Sequence, residues 1–172
     1  MSRTISKKVC LLGNFAVGKT SLMRRFVYDL FSDKYISTIG VKVSRKTVAI
    51  PVAADIVELT MMLWDLGGSE EFNRVRASYL RGAAGAVLVC DLTRPRTLDS
   101  IQTYADELHS INPGARFILA ANKCDLTDQQ RLTREQIEAA AANVNAPYYL
   151  TSAKTGDEVE TLFRHLGRLL VA

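Results

Sequence analysis

The stretch Gly13 to Thr20, GNFAVGKT, matches the pattern G-x-x-x-x-G-K-[ST]. A loop of this type is built to surround phosphate. Gly13 and Gly18 allow the backbone to turn and approach an anion without a side-chain clash. Successive N–H groups along Gly13, Asn14, Phe15, Ala16, Val17 and Gly18 are expected to face the phosphates. Those of Lys19, Thr20 and Ser21, at the start of the next helix, are expected to do the same. Lys19 is placed to reach the outer phosphates, and the Thr20 hydroxyl to bind Mg²⁺. Two further stretches carry chemistry. Asp65 ends an apolar run and opens a glycine-rich loop, which suits a carboxylate that holds Mg²⁺ directly or through water. Standing alone, it would read as a turn aspartate. Gly68, lacking a side chain, could offer its N–H to a terminal phosphate. Asn122-Lys123-Cys124-Asp125 supplies a carboxylate at Asp125 that can accept two N–H bonds from the edge of guanine, a pair adenine does not offer. Such a bidentate contact is worth ~1–3 kcal/mol of base discrimination. The methylenes of Lys123 can cover a purine face. Ser152-Ala153-Lys154 could place the Ala153 N–H on the guanine carbonyl.

These groups need a scaffold. Lys8 to Leu12 reads as a short apolar strand. After the loop, Leu22, Phe26 and Leu30 recur at fourfold spacing beside Met23 and Val27, one apolar face of a helix. Residues 31–40 have no period and read as a loop. Val41–Ile50 and Ile56–Trp64 read as two strands of an antiparallel hairpin, broken at Pro51–Asp55. Residues 65–71 read as loop and Phe72–Arg81 as weakly helical. Ala84–Cys90 and Phe117–Ala121 are short runs without alternation, as expected for strands buried on both faces. Between them, Pro95 precedes a helix carrying Leu98, Ile101, Ala105 and Leu108, stopped by Asn112-Pro113-Gly114. Thr133 with Gln136 and Thr155 with Glu158 read as capping boxes. They open helices on either side of a last strand, Tyr148–Leu150. The second of these helices shows Val159, Leu162, Phe163, Leu166, Leu169 and Leu170 on one face. Strands alternating with helices predict an α/β domain with a mostly parallel sheet and one antiparallel edge. Each candidate group falls at a strand's carboxyl end or in the loop after it, where open α/β sheets bind ligands.

The chain has 172 residues, 23% charged and 48% hydrophobic, which suits one domain, 1–172, with residues 1–6 as an N-terminal extension. The net charge is +4, and the basic residues are scattered rather than striped, so a nucleic-acid partner is not expected. Cys10, Cys90 and Cys124 make an odd count with no disulfide framework; two sit in apolar runs, as buried small hydrophobes do. The first residues precede only four apolar ones, too few for a signal-peptide core. No stretch approaches the roughly 18 apolar residues of a membrane span. A reducing, cytoplasmic setting is expected.

GNFAVGKT, STIG around Thr38, WDLGG at Trp64–Gly68, NKCD and SAK occur in that order, and from Lys7 to Leu170 the chain resembles the Ras superfamily of small GTPases. YISTIGV, YLRGA and LVCDLT resemble its Rab branch. The resemblance implies a P-loop NTPase fold with a six-stranded sheet and about five helices. It also implies GTP or GDP with Mg²⁺ as ligands, and two switch loops, around 31–43 and 65–79. It makes Thr38 the switch threonine that binds Mg²⁺ and senses the γ-phosphate, Phe31 the aromatic packed on guanine, and Tyr35 a residue that closes over the phosphates. It implies exchange factors, GTPase activators and effectors as partners. Among catalytic positions, Lys19, Thr38 and Gly68 match the family, but its water-orienting glutamine falls at Ser69. Serine is too short for that role. Phe15 stands where the family carries a small residue, and its ring would crowd both switch II and an arginine finger. Ala16 replaces a second glycine, while Leu66 and Gly67 replace the usual threonine and alanine. The break Pro51–Asp55 looks longer than the family's turn. The chain as given ends at Ala172 without a cysteine, so no prenyl anchor is expected on it. These features predict a guanine-nucleotide switch that hydrolyses GTP slowly, with altered catalytic positions at Phe15 and Ser69; Glu70 and Glu71 could orient water in place of Ser69 but read first as a solvated acidic pair. The alternative is a GTP-loaded interaction module that is nearly inert in hydrolysis; a nucleotide kinase or ATPase is disfavoured by NKCD.

Overall fold

The structure, a computed structural model, describes residues 2–34, 38, 40–67 and 75–172. Six strands are present: β1 Ser2–Leu12, β2 Val41–Val52, β3 Asp55–Leu66, β4 Ala83–Asp91, β5 Arg116–Asn122 and β6 Tyr148–Thr151. The helices are α1 Lys19–Tyr28, α2 Arg76–Leu80, α3 Arg96–Asp99, α4 Ile101–Ile111, α5 Arg134–Asn143 and α6 Val159–Val171, with a 3₁₀ turn at Thr127–Gln129. The strands form one sheet in the order β2-β3-β1-β4-β5-β6, with every pairing parallel except the β2–β3 hairpin. This is the P-loop NTPase architecture expected from the sequence.

The period of 2 along the central strands divides the interior into two cores. Val9, Leu11, Val87 and Val89 point to one face, where Leu22 and Phe26 of α1 meet Phe163 and Leu166 of α6. The rings of Phe26 and Phe163 stack with centroids 4.1 Å apart. Cys10, Leu12, Leu88 and Cys90 point to the other face, against Ile101 and Leu108 of α4 and Ile137 of α5. Because β1 lies between β3 and β4, chain connections leave it on both sides. The carboxyl end of β1 is therefore the switch point at which open sheets form a crevice.

Several boundaries differ from the sequence reading. Residues 2–6, expected as an extension, belong to β1: Ser2 to Leu11 pair with β3, while only Lys8 to Leu12 also pair with β4. The outer half of β1 is half-exposed or exposed and carries no apolar run to announce it. Helix α1 ends at Tyr28, because Asp29 adopts φ 54° and its N–H closes onto Arg24 and Arg25; Leu30 is left 55% exposed. The hairpin break is not long. Pro51 and Val52 remain in β2, paired with Ile56 and Asp55, and only Ala53-Ala54 turn the chain. Proline is accepted there because β2 is an edge strand whose outward N–H has no ladder partner to lose. Asp65 and Leu66, read as loop, are the last residues of β3. The helix after Pro95 is divided at Ser100 into α3 and α4. Thr133 and Gln136 do form a capping box. Thr155 and Glu158 do not: Glu158 sits at φ 59°, and the Thr155 hydroxyl accepts the Asp157 N–H within a turn. Of the helix read over 72–81, residues 76–80 are helical and 72–74 lie outside the described residues. No helix among the described residues is long and apolar enough to cross a membrane.

Candidate functional site

A cavity of about 340 Å³ opens at the carboxyl end of the sheet. Its wall gathers residues from separate stretches of the chain: the loop before α1 with the first turn of that helix, residues 31–34, Thr38, Leu66 with Gly67, the segment from Asn122 to Leu126, and Ala153 with Lys154. The loop before α1 is drawn in tightly. A Cβ on Gly13 would stand 2.4 Å from the Val89 carbonyl oxygen, and one on Gly18 would stand 2.2 Å from Asn122 Nδ2. Gly18 also has φ 104°, so both positions need glycine. Ala16, in a left-handed conformation at φ 62°, accepts the strain of about 1–2 kcal/mol that such a backbone costs a residue with a Cβ. Val17 points away from the cavity into the core.

One end of the cavity holds a buried amine. The Lys19 ammonium, 7% exposed, donates to the carbonyls of Gly13 at 2.8 Å and Asn14 at 3.0 Å. Burial lowers its pKa to about 8; Asp65 pulls it back up, while Arg76 and Arg94 press it further down. Next to it, the Thr20 hydroxyl donates to Asp65 Oδ2, which also accepts from the Thr38 hydroxyl at 3.2 Å. The two threonine oxygens are 2.5 Å apart. Asp65 is fully buried, and among the described residues its Oδ1 has no hydrogen-bond partner. A buried carboxylate oxygen with no donor is costly. Two hydroxyls and one carboxylate form the hard-oxygen set that suits Mg²⁺, which keeps most of its remaining positions for water and phosphate oxygens. The three residues fit a magnesium ion.

The other end is walled by Asn122, Lys123, Asp125, Ala153 and Lys154. Asn122, 2% exposed, donates to the Val17 carbonyl at 3.0 Å and accepts from the Thr151 hydroxyl at 3.1 Å, pinning the loop before α1 to β5 and β6. Lys123, at φ 72°, lays its side chain along the cavity wall, and its ammonium donates to the Ala16 carbonyl at 3.0 Å. The buried Ser152 hydroxyl donates to Asp125 Oδ1 at 2.7 Å and so orients that carboxylate. Ala153 and Lys154 line the cavity, as does Phe31, 37% exposed. Of the sequence-predicted residues, Gly13, Asn14, Val17 and Ser152 support the wall rather than line it. Phe15 lines it at the mouth with 52% of its surface exposed. Tyr35, Gly68, Ser69, Glu70 and Glu71 lie outside the described residues.

Two supporting residues had no signal in the sequence. Asp91, 1% exposed at the end of β4, pairs with Lys123 at 2.9 Å and with Arg94 at 3.0 Å. Burial opposes its charge, but bonds from Thr93, Lys123 and Arg94 prevail and hold its pKa below the ordinary value. Arg94 in turn donates to the Phe15 carbonyl at 2.7 Å. Arg25 of α1 donates to the carbonyls of Ala153 at 2.8 Å and Lys154 at 2.6 Å, fixing the last loop of the base end. The cysteines take no part in this chemistry: burial pushes the Cys10 and Cys90 thiols up to about 12 and raises that of Cys124.

The family model that matches this chain is that of the Ras family, over residues 8–172. The Ras-related protein Rab-13 of Rattus norvegicus is 35% identical over 162 residues, which cover 94% of this chain and 78% of that protein. Rab-8B of Homo sapiens is 34% identical over 163 residues, 94% of this chain and 76% of its own length. The Ras-related protein SEC4 of Candida albicans is 31% identical over 164 residues, 95% of this chain and 76% of its own length.

Proposed function

This chain belongs to the Ras family, as a Rab-like GTP-binding switch with GTP hydrolase activity, and from that membership we propose how its own residues divide the work. The N–H groups from Gly13 to Thr20 and the Lys19 ammonium hold the phosphates. Thr20, Thr38 and Asp65 hold the Mg²⁺ that Ras and Rab GTPases use, and the metal when bound neutralises the charge of the phosphate oxygens. Asp125, oriented by Ser152, accepts from the guanine edge, while Lys123 and Phe31 cover the two faces of the base. The observation that carries this reading is the single cavity. Lys19, Thr20 and Thr38 line one end of it, and Lys123, Asp125 and Ala153 line the other.

Thr38 is the residue that makes the site a switch. Its hydroxyl lies beside Thr20 and Asp65, so a ligand that engages it changes the loop that carries it. A ligand shifts a conformational equilibrium only through such differential contacts. The family's regulators and effectors bind through the two switch regions, here 31–43 and 65–79; which proteins serve this chain is a question of those surfaces. The setting proposed is cytoplasmic.

Hydrolysis is proposed to be slow. Two residues support this: Ser69 is too short to orient water, and Phe15, which lines the cavity and is 52% exposed, would crowd a longer side chain or an activator's arginine. The test is to measure the nucleotide carried by freshly purified protein, then its single-turnover GTP hydrolysis with Mg²⁺. Bound GDP with slow but measurable turnover supports the switch. Bound GTP without turnover supports the nearly inert interaction module. Absence of any guanine nucleotide, with no affinity for added GDP, overturns the assignment of the site.

A further inference from the structure

A second set of contacts approaches the loop before α1 from its outer side. Arg76 is the first residue of α2, and its side chain is largely buried. Its Nε and Nη2 donate to Glu107 of α4 at 2.8 Å and 2.6 Å, a two-pronged ion pair. The same guanidinium lies 4.8 Å from the centre of the Tyr104 ring, one turn back on α4. The Tyr104 hydroxyl donates to Asn14 Oδ1 at 3.0 Å, and Asn14 Nδ2 donates to the Ser100 hydroxyl at 3.0 Å. Asn14 is also the residue whose carbonyl accepts the Lys19 ammonium. Three contacts thus join the start of α2 to the lysine of the nucleotide cavity, with Glu107 anchoring the first of them, and they reach that lysine from outside the cavity.

We propose that Arg76, Glu107 and Tyr104 form a brace that positions Asn14, and through it the Lys19 loop, so that the placement of α2 sets how tightly nucleotide is retained. The chemistry favours a brace over a surface ornament. A bidentate arginine–carboxylate pair fixes orientation as well as distance. Stacking on Tyr104 further restricts the guanidinium plane. Asn14 uses both atoms of its amide, so its position depends on Tyr104 of α4 and on Ser100 just before that helix. The segment that ends at α2 is switch II in this family, so the brace gives that region a mechanical route to the phosphate loop that bypasses the ligand. Arg76, Glu107 and Tyr104 are positioning residues, not catalytic ones.

The proposal rests on the cavity holding a guanine nucleotide, and the experiment separates the two. Full-length protein is loaded with fluorescent GDP and Mg²⁺, and release is followed after adding excess unlabelled GDP. Glu107→Gln, nearly isosteric, should speed release about fivefold, and Tyr104→Phe should speed it about threefold. The doubly substituted protein should release no faster than the faster single variant, because both act through one connection. Arg76→Met should match Glu107→Gln. Non-additive acceleration is the readout that a merely structural role would not produce: loss of local packing lowers the melting temperature and leaves the rates to multiply independently. Release within twofold of wild type in Glu107→Gln and Arg76→Met, or a double variant whose acceleration is the product of the singles, overturns the brace. A wild type that retains no fluorescent GDP overturns both the brace and the nucleotide reading.

Discussion

Lys19 offers a measurement of the site that needs no substitution. Its pKa is lowered to about 8 by burial, against an ordinary lysine value of 10.5. In the nucleotide-free protein at pH 8, about half of the molecules therefore carry a neutral Lys19. Phosphate brought against the amine favours the charged form, so binding GDP must draw in protons. The uptake should be small at pH 7 and rise steeply through pH 8. Affinity should be flat below pH 7.5 and then fall toward tenfold per pH unit, about 1.4 kcal/mol, above pH 8. The same depression has a stability sign. Between pH 8 and 10.5 the unfolded chain binds the proton that the folded one has lost, so the nucleotide-free protein gains stability as pH rises through that window. That gain is about 3 kcal/mol in all. The assay is calorimetric titration of GDP into nucleotide-free protein, in buffers of different ionisation enthalpy at each pH; the slope of heat against ionisation enthalpy counts protons. Lys19→Arg, whose guanidinium keeps its proton throughout, should abolish the pH-dependent uptake. An uptake near zero at pH 8, or one equal at pH 7 and 8, refutes the link between the buried amine and the phosphates.

Gly18→Ala should weaken GDP binding about a hundredfold. The added Cβ displaces Asn122 from Val17 and strains a left-handed backbone, together about 2–3 kcal/mol. An equilibrium titration that finds affinity within threefold of wild type would count against the tight approach. Asp125→Asn should reduce guanine nucleotide affinity and favour xanthine nucleotides, whose carbonyl can accept from the new amide; unchanged base preference in competition removes the base-end assignment. In single-turnover hydrolysis, Ser69→Gln and Phe15→Gly should each gain little and the pair more than their sum, out of a deficit of about 10²–10³. Recovery by Ser69→Gln alone refutes the steric role given to Phe15.

The cavity was legible in the sequence because its chemistry is local. GNFAVGKT, NKCD and SAK each carry their geometry within a few residues, and buried runs such as Ala84–Cys90 announce central strands by composition alone. What held these motifs in place was not legible. Arg25 reaches Ala153 across 128 positions, Lys123 reaches Ala16 across 107, and Tyr104 reaches Asn14 across 90. Such contacts exist only once the sheet order is set, and an isolated arginine or tyrosine on a helix carries no mark of its target. The misread boundaries have a related cause. The outer half of β1 is a strand because β3 lies beside it, not because Ser2 to Lys8 alternate. Thr155 and Glu158 have cap spacing, but the left-handed turn at Glu158 gives the Thr155 hydroxyl a different donor.

The β2 edge has a consequence for crowded solution. A twelve-residue strand with one unpaired side is a template on which another copy could hydrogen-bond. Here that side is protected by composition. Lys42 and Arg45 place two exposed positive charges along it, and Pro51 removes a donor near its far end. A second strand docking on this edge would have to pass these cations at one end and the missing donor at the other. The molecule therefore guards against sheet-to-sheet aggregation at the long border that its topology leaves open, and it does so without shortening the hairpin that carries Asp65 to Thr20 and Thr38.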